Sequence, residues 1–189
     1  RAAELQFNTP EYVSTQWSAI EAYQLGRHFE RSLRLLQPYL RYETRGRLPR
    51  GLVAYGRALL AEDDPDTAIE ALTTCIVEHP RDPLRYDARL LAAMAYSEKG
   101  DLENAKRLLQ DNLQDGELTP QSRAWRDSLL TLGEMLYQRG YRNHLEAQRS
   151  PQSEQLQRLR DNQPILEEAI RRLDEAVERY WPIPRATAA

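Results

Sequence analysis

The sequence predicts an all-α fold, an α-solenoid of short antiparallel helical hairpins. Three observations predict it. Capping side chains followed by proline recur along the chain. Apolar residues follow helical spacing, and period-2 alternation never persists. Small residues recur twelve positions apart, at Gly56 and Ala68 and again at Ala93 and Ala105.

The start signals come in order. Thr9-Pro10-Glu11, Asp64-Pro65-Asp66, Asp82-Pro83, Thr119-Pro120 and Ser150-Pro151 each place a cap oxygen ahead of a proline. The cap accepts an orphan backbone N–H, and proline at the first helical position loses a donor that had no partner. Asp101 opens a helix without proline. Stop signals are Gly26, Glu78-His79-Pro80, Gly100, Gly116 and Gly140. Between them run apolar stripes such as Leu52, Tyr55, Leu59 and Leu60, or Leu102, Ala105, Leu108 and Leu109. These marks predict helices over 10–25, 28–43, 48–61, 65–78, 83–98, 101–113, 120–139, 151–162 and 164–180.

The twelve-residue spacing has a packing reason. Two antiparallel helices joined by a tight turn approach most closely where side chains are smallest. Glycine inside a helix costs about 1 kcal/mol relative to alanine, so Gly56 points to a close contact. Ala68-x3-Leu72 and Ala105-x3-Leu109 repeat the pattern 37 residues apart.

These residues resemble the tetratricopeptide repeat, W-x2-L-G-x2-Y followed by A-x3-F and a terminal P. The best copy uses Leu52, Tyr55, Gly56, Leu59, Ala68, Leu72 and Pro80, and a second uses Arg89, Ala92, Ala93, Tyr96, Gly100, Ala105 and Leu109. A degenerate earlier copy uses Gln16 or Trp17, Ala19, Ile20, Tyr23, Ser32 and Leu36, and a later one starts at Leu129, Leu132, Gly133 and Leu136. The resemblance implies a right-handed superhelix of about four hairpins, with repeats at 10–46, 49–82, 86–119 and 120–181. In the last copy the small residue that answers Gly133 is Ala169, 36 positions on, which places an insertion at about 141–164. Leu156, Leu159, Leu166, Ile170, Leu173, Val177 and Tyr180 form a stripe from insertion into repeat, fit for one long helix kinked at Pro164 or for a second chain. Residues 182–189 fall where a next repeat begins, so the chain is expected to be part of a longer array.

Composition narrows function. Hydrophobic residues make up 41% and charged residues 29%, which excludes a disordered chain. The net charge of −3 argues against a general nucleic-acid binder. Charge is uneven: Arg27 to Arg57 holds eight arginines against two glutamates, while acids dominate from Ala61 to Pro120. An arginine face of the second helix (Arg27, Arg31, Arg34, Arg41, Arg45) is a candidate for phosphates or anionic lipid. No apolar run is long enough for a transmembrane segment. Cys75 is the one cysteine and lies on an apolar face, the setting of a small buried residue. His28, His79 and His144 are scattered, and no phosphate loop or nucleophile motif is present, so no metal, cofactor or enzyme activity is expected. The acids Glu62, Asp63, Asp64 and Asp66 fit a helix cap better than a calcium loop.

The resemblance implies a concave groove lined by the first helix of each hairpin. It would display Trp17, Glu21 and Gln24, then Arg50, Val53 and Arg57, then Asp87, Leu90 and Met94, then Asp127, Leu130 and Glu134. Such a groove takes a protein partner, as an extended peptide or a helix. The Lys and Asn positions that grip chaperone carboxylates in some family members hold Trp17, Glu21, Ala54, Asp87 and Leu91 instead. The alternative is an assembly module of a bacterial envelope or secretion complex. There the insertion and last helix, 150–181, would form a homo-oligomer or bridge subunits, since "EHPRDPLRYDARLLAAMAYSEKGDLENAKRLL" is similar to repeats of outer-membrane assembly proteins.

Overall fold

The structure is a computed structural model that describes residues 10–43 and 46–180. Arg45, the Thr9 cap and the start of a next repeat at 182–189 lie outside the described residues. The described residues contain eight helices and no strand: α1 Pro10–Leu25, α2 Phe29–Tyr42, α3 Leu48–Ala61, α4 Pro65–Glu78, α5 Leu84–Glu98, α6 Leu102–Gln114, α7 Arg123–Arg149 and α8 Gln152–Tyr180. The chain divides into two compact units, Arg1–Ala105 and Lys106–Ala189.

In the first unit each helix from α2 to α5 packs on its predecessor, and α3 also packs on α5. The core beneath α1, α2 and α3 is Ile20, Leu36, Tyr39, Ala54 and Ala58. Helix ends follow the expected chemistry. Asp64 accepts from Thr67 N at 3.1 Å ahead of Pro65. Asp101 accepts from Asn104 N at 3.2 Å and from Asn104 Nδ2 at 2.7 Å.

The three tight turns that follow α1, α3 and α5 share one geometry. His28 N donates to Tyr23 O, Asp64 N to Leu59 O and Asp101 N to Tyr96 O, and each bond spans five residues. The residue before each donor also bonds back three residues, to Gln24, Leu60 and Ser97. This is the Schellman stop, which needs a left-handed residue. Gly100 fills it at φ 79°, but Asp63 fills it at 62° and Arg27 at 57°. So the stop after α1 is made by Arg27 and not by Gly26, at a steric cost of about 1–2 kcal/mol for a residue with a Cβ.

Gly56 is where α4 comes close. A methyl on it would lie 2.5 Å from Leu72 Cγ, and both Leu72 and Ala68 are fully buried. Gly51 does the same between α2 and α3: its methyl would meet Tyr39 Cε1 at 2.7 Å. Ala93 and Ala105 are fully buried as well. Cys75 is buried with Sγ 4.0 Å from Pro49 O, and burial first, then Asp82 and Asp87, pushes its thiol up to about 12.

The second unit departs from expectation in three places. The helix expected from Pro120 starts at Arg123, because Ser122 is the cap: its Oγ accepts from Trp125 N at 3.4 Å. Gly140 does not end α7, which continues to Arg149. The separate helices expected over 151–162 and 164–180 are one, the single long helix for which the stripe from Leu156 to Tyr180 is fit, with Pro164 inside it. Pro164 and Arg160, the residue whose carbonyl loses its intrahelical donor, are both exposed.

The α7–α8 hairpin runs in strict register. A methyl on Gly133 would lie 2.8 Å from Leu173 Cδ2, and one on Gly140 2.4 Å from Leu166 Cδ2. The glycines are seven apart on one helix and the leucines seven apart on the other. Gly133 therefore meets Leu173 as Gly56 meets Leu72, four residues beyond Ala169 and Ala68 respectively. Ala169 is 1% exposed. Asn162, buried, donates to Gly140 O at 2.8 Å and accepts from Asn143 Nδ2 at 3.0 Å. Trp125, Leu129, Leu130 and Ala176 form the core at the other end of the hairpin. Helix α6 joins through Lys106–Glu168 at 2.5 Å and through the buried Asn112–Ser128 bond at 3.0 Å.

Candidate binding cleft

A cleft of about 170 Å³ opens in the first unit where α1, α3 and α5 meet. These are the first helices of three successive hairpins. Seven of the expected groove residues line it: Trp17, Glu21 and Gln24 from α1, Arg50, Val53 and Arg57 from α3, and Asp87 from α5. The helical period brings each set to one face, since 17, 21 and 24 or 50, 53 and 57 are spaced by three or four residues. Ala54, one of the clamp positions named above, also lines the cleft, as do Ile20 and Leu84, which the expected groove did not include. Ile20 and Ala54 were visible as small or apolar residues between the chosen positions.

The floor is rigid. Gln24 Nε2 donates to Ala54 O at 2.7 Å and ties α1 to α3. Arg50 is held by two rings. Its Cζ lies 4.2 Å from the Trp17 centroid and 5.6 Å from that of Tyr39, and its Nε donates to Tyr39 Oη at 2.7 Å. Trp17 and Tyr39 are themselves 5.3 Å apart at 43°. Burial holds the Tyr39 phenol above its ordinary value, against the opposing pull of Arg50. Arg50 was expected as an open groove charge; it is instead a strut between α1, α2 and α3. Arg57, two turns later on α3, is exposed and forms no ion pair among the described residues. Glu21 and Asp87 flank it from α1 and α5.

The other expected residues lie elsewhere. Leu90 and Met94 are farther along α5, Leu90 half-buried and Met94 exposed, and neither lines the cleft. Asp127, Leu130 and Glu134 are on α7, in the second unit. Leu130 is 1% exposed, packed with Leu129 and Ala176, so it is a core residue and not a contact residue. Asp127 pairs with Arg123 and Arg126, each at 3.3 Å.

The cleft offers two cations, the ring-stacked Arg50 and the exposed Arg57, with two carboxylates and an apolar floor. It has no nucleophile paired with a base. Among the described residues no three His, Cys, Asp or Glu side chains gather where they could hold a metal ion. No described helix is long and apolar enough to cross a membrane.

No family model matches the chain, and no curated protein matches it. A solved structure does: a TPR repeats protein from Bacteroides fragilis, at 14% identity and a TM-score of 0.50, over 93% of this chain and 79% of that one. The likeness is one of fold. This chain is built of helical hairpins arranged as in a tetratricopeptide-repeat protein.

Proposed function

We propose that the chain is a non-catalytic scaffold that holds a segment of another protein in the α1–α3–α5 cleft, as an extended peptide or a helix. The observation that carries this reading is the convergence of three successive first helices on one concavity. Within it an exposed arginine lacks an ion-pair partner among the described residues. The half-buried Leu84 and Trp17 would take apolar anchors, which supply most of the affinity, and Arg57 an acidic group, which sets register. Repeats at 10–46, 49–82, 86–119 and 120–181 are the units we assign to the array.

Affinity capture with the chain as bait tests this. Arg57→Glu should remove the captured partner and leave the fold intact. Reversal of Arg50 would not discriminate, because Arg50 also holds three helices together. Capture of the same partner by Arg57→Glu at wild-type yield refutes the cleft.

A second reading is self-association through 150–181. It is favoured by exposed Leu156 and Ile170 on α8, at 66% and 57%. Sedimentation velocity decides it: Leu156→Glu should convert an oligomer to monomer, and a monomeric wild-type chain ends the idea.

A further inference from the structure

The outer face of α2 is separate from the cleft and has no role in it. We propose that this face docks the chain peripherally onto an anionic lipid surface. Arg31, Arg34, Pro38, Arg41 and Tyr42 fall within an arc of about 100° on the helix. The opposite side of α2 buries Ser32, Leu36 and Tyr39. Arg27 sits in the turn just before α2, exposed like Arg31, Arg34 and Arg41. Glu30 is the only acid on α2, and its pairing with Arg34 at 2.5 Å is solvent-exposed on both sides. An exposed pair of that kind is weak and yields readily to a better anion. Arg27, Arg31 and Arg41 form no ion pair among the described residues.

Two observations make this more than a solvated helix. The first is backbone strain. At the equivalent point of the next two hairpins stand Asp63 and Gly100, residue types that tolerate a left-handed turn. Before α2 the chain keeps an arginine there, at φ 57°, with a glycine directly beside it in sequence. A cation held at a conformational cost is accounted for if the cation is used. The second is a pair of exposed side chains, one just before and one at the end of the α2 segment. Leu25 is 87% exposed at the end of α1, and Tyr42 73% exposed at the end of α2. Phosphates alone give a leucine nothing to do. A lipid headgroup layer takes both: guanidinium groups meet phosphate and carboxylate, while leucine and the tyrosine ring enter the boundary. The net charge of −3 would repel an anionic surface from most directions, so binding is confined to this face.

Co-sedimentation of the 189-residue chain with vesicles tests the proposal. The chain should bind phosphatidylcholine vesicles with about 30% phosphatidylserine and not pure phosphatidylcholine. Binding should fall steeply between about 50 and about 300 mM salt, as screening shortens. Arg31→Glu with Arg41→Glu should weaken binding at least about 25-fold, at about fivefold per lost cation. Arg81→Glu with Arg139→Glu, an equal charge change elsewhere, should weaken it far less. Tyr42→Ser should weaken it at constant charge. Equal binding to neutral and anionic vesicles, or wild-type binding by the α2 pair with an unchanged circular dichroism spectrum, overturns the proposal. So does tighter binding to a single-stranded oligonucleotide than to the anionic vesicles.

Discussion

The α3–α4 and α7–α8 hairpins close around the same contact, a glycine on the first helix against a leucine on the second. They differ in length and in cover. Helices α3 and α4 have 14 residues each; α7 and α8 have 27 and 29. Leu72 is fully buried, because α4 lies between α3 and α5. Leu166 and Leu173 are half-buried, and on α8 only Asn162, Ala169 and Ala176 are buried. A short hairpin draws its stability from neighbours on both sides. The long one draws more from its own seam, which is why it carries a second glycine and a buried asparagine that fixes register.

The comparison predicts unequal responses to equal substitutions. The largest is at the leucines. Leu72→Ala should cost about 3–4 kcal/mol, since its cavity cannot open to water, and Leu166→Ala about 1–2 kcal/mol. Urea unfolding of the two variants reads the difference, and equal losses would break the contrast. Next are the glycines. Gly56→Ala pushes against a leucine with nowhere to go and should cost about 1–2 kcal/mol. Gly140→Ala pushes against one that can shift outward, and the helical gain of about 1 kcal/mol nearly offsets it.

Smaller is Ser32→Ala. Ser32 is the counterpart of Ala68 in the first hairpin, fully buried, and its Oγ has no hydrogen-bond partner. Removing that hydroxyl should raise stability by about 0.5–1 kcal/mol, visible as a higher melting temperature. Smallest is a pH effect at the α5–α6 turn. Hydrogen bonds from Asn104, side chain first and then backbone, lower the Asp101 pKa. Its contribution is therefore present above the ordinary aspartate range of about 4 and is lost as pH falls through the lower folded value. Asp101→Asn should flatten the acid limb of stability slightly; a steeper limb would contradict the cap.

Much of this architecture was legible in the sequence. A proline behind a capping residue located the start of α4, and the Gly56–Ala68 spacing located the α3–α4 hairpin. The errors have physical causes. Gly140 looks like a stop when read alone, yet its meaning depends on Leu166, 26 residues on, where a helix needs room. Pro164 looks like a break, but the packing of Leu166 on Gly140 and Leu173 on Gly133 carries the helix past the bond it loses and the crowding of its ring. Gly26 attracted the left-handed role, which the count from the last helical residue gives to Arg27. At the cleft, periodicity picked out residues of α1 and α3 that share its lining. It could not show that Arg50 would be stacked between rings 33 and 11 residues away in sequence, nor that Leu130 would turn into the core.

The buried thiol gives the first unit a built-in clock. While α3 and α4 stay closed, Cys75 is sealed from solvent and almost never a thiolate. An alkylating reagent therefore reacts only in moments when the hairpin parts. At neutral pH the rate of labelling in native buffer counts those openings, with no dye or mutation, because the chain has no other sulfhydryl to confuse the reading.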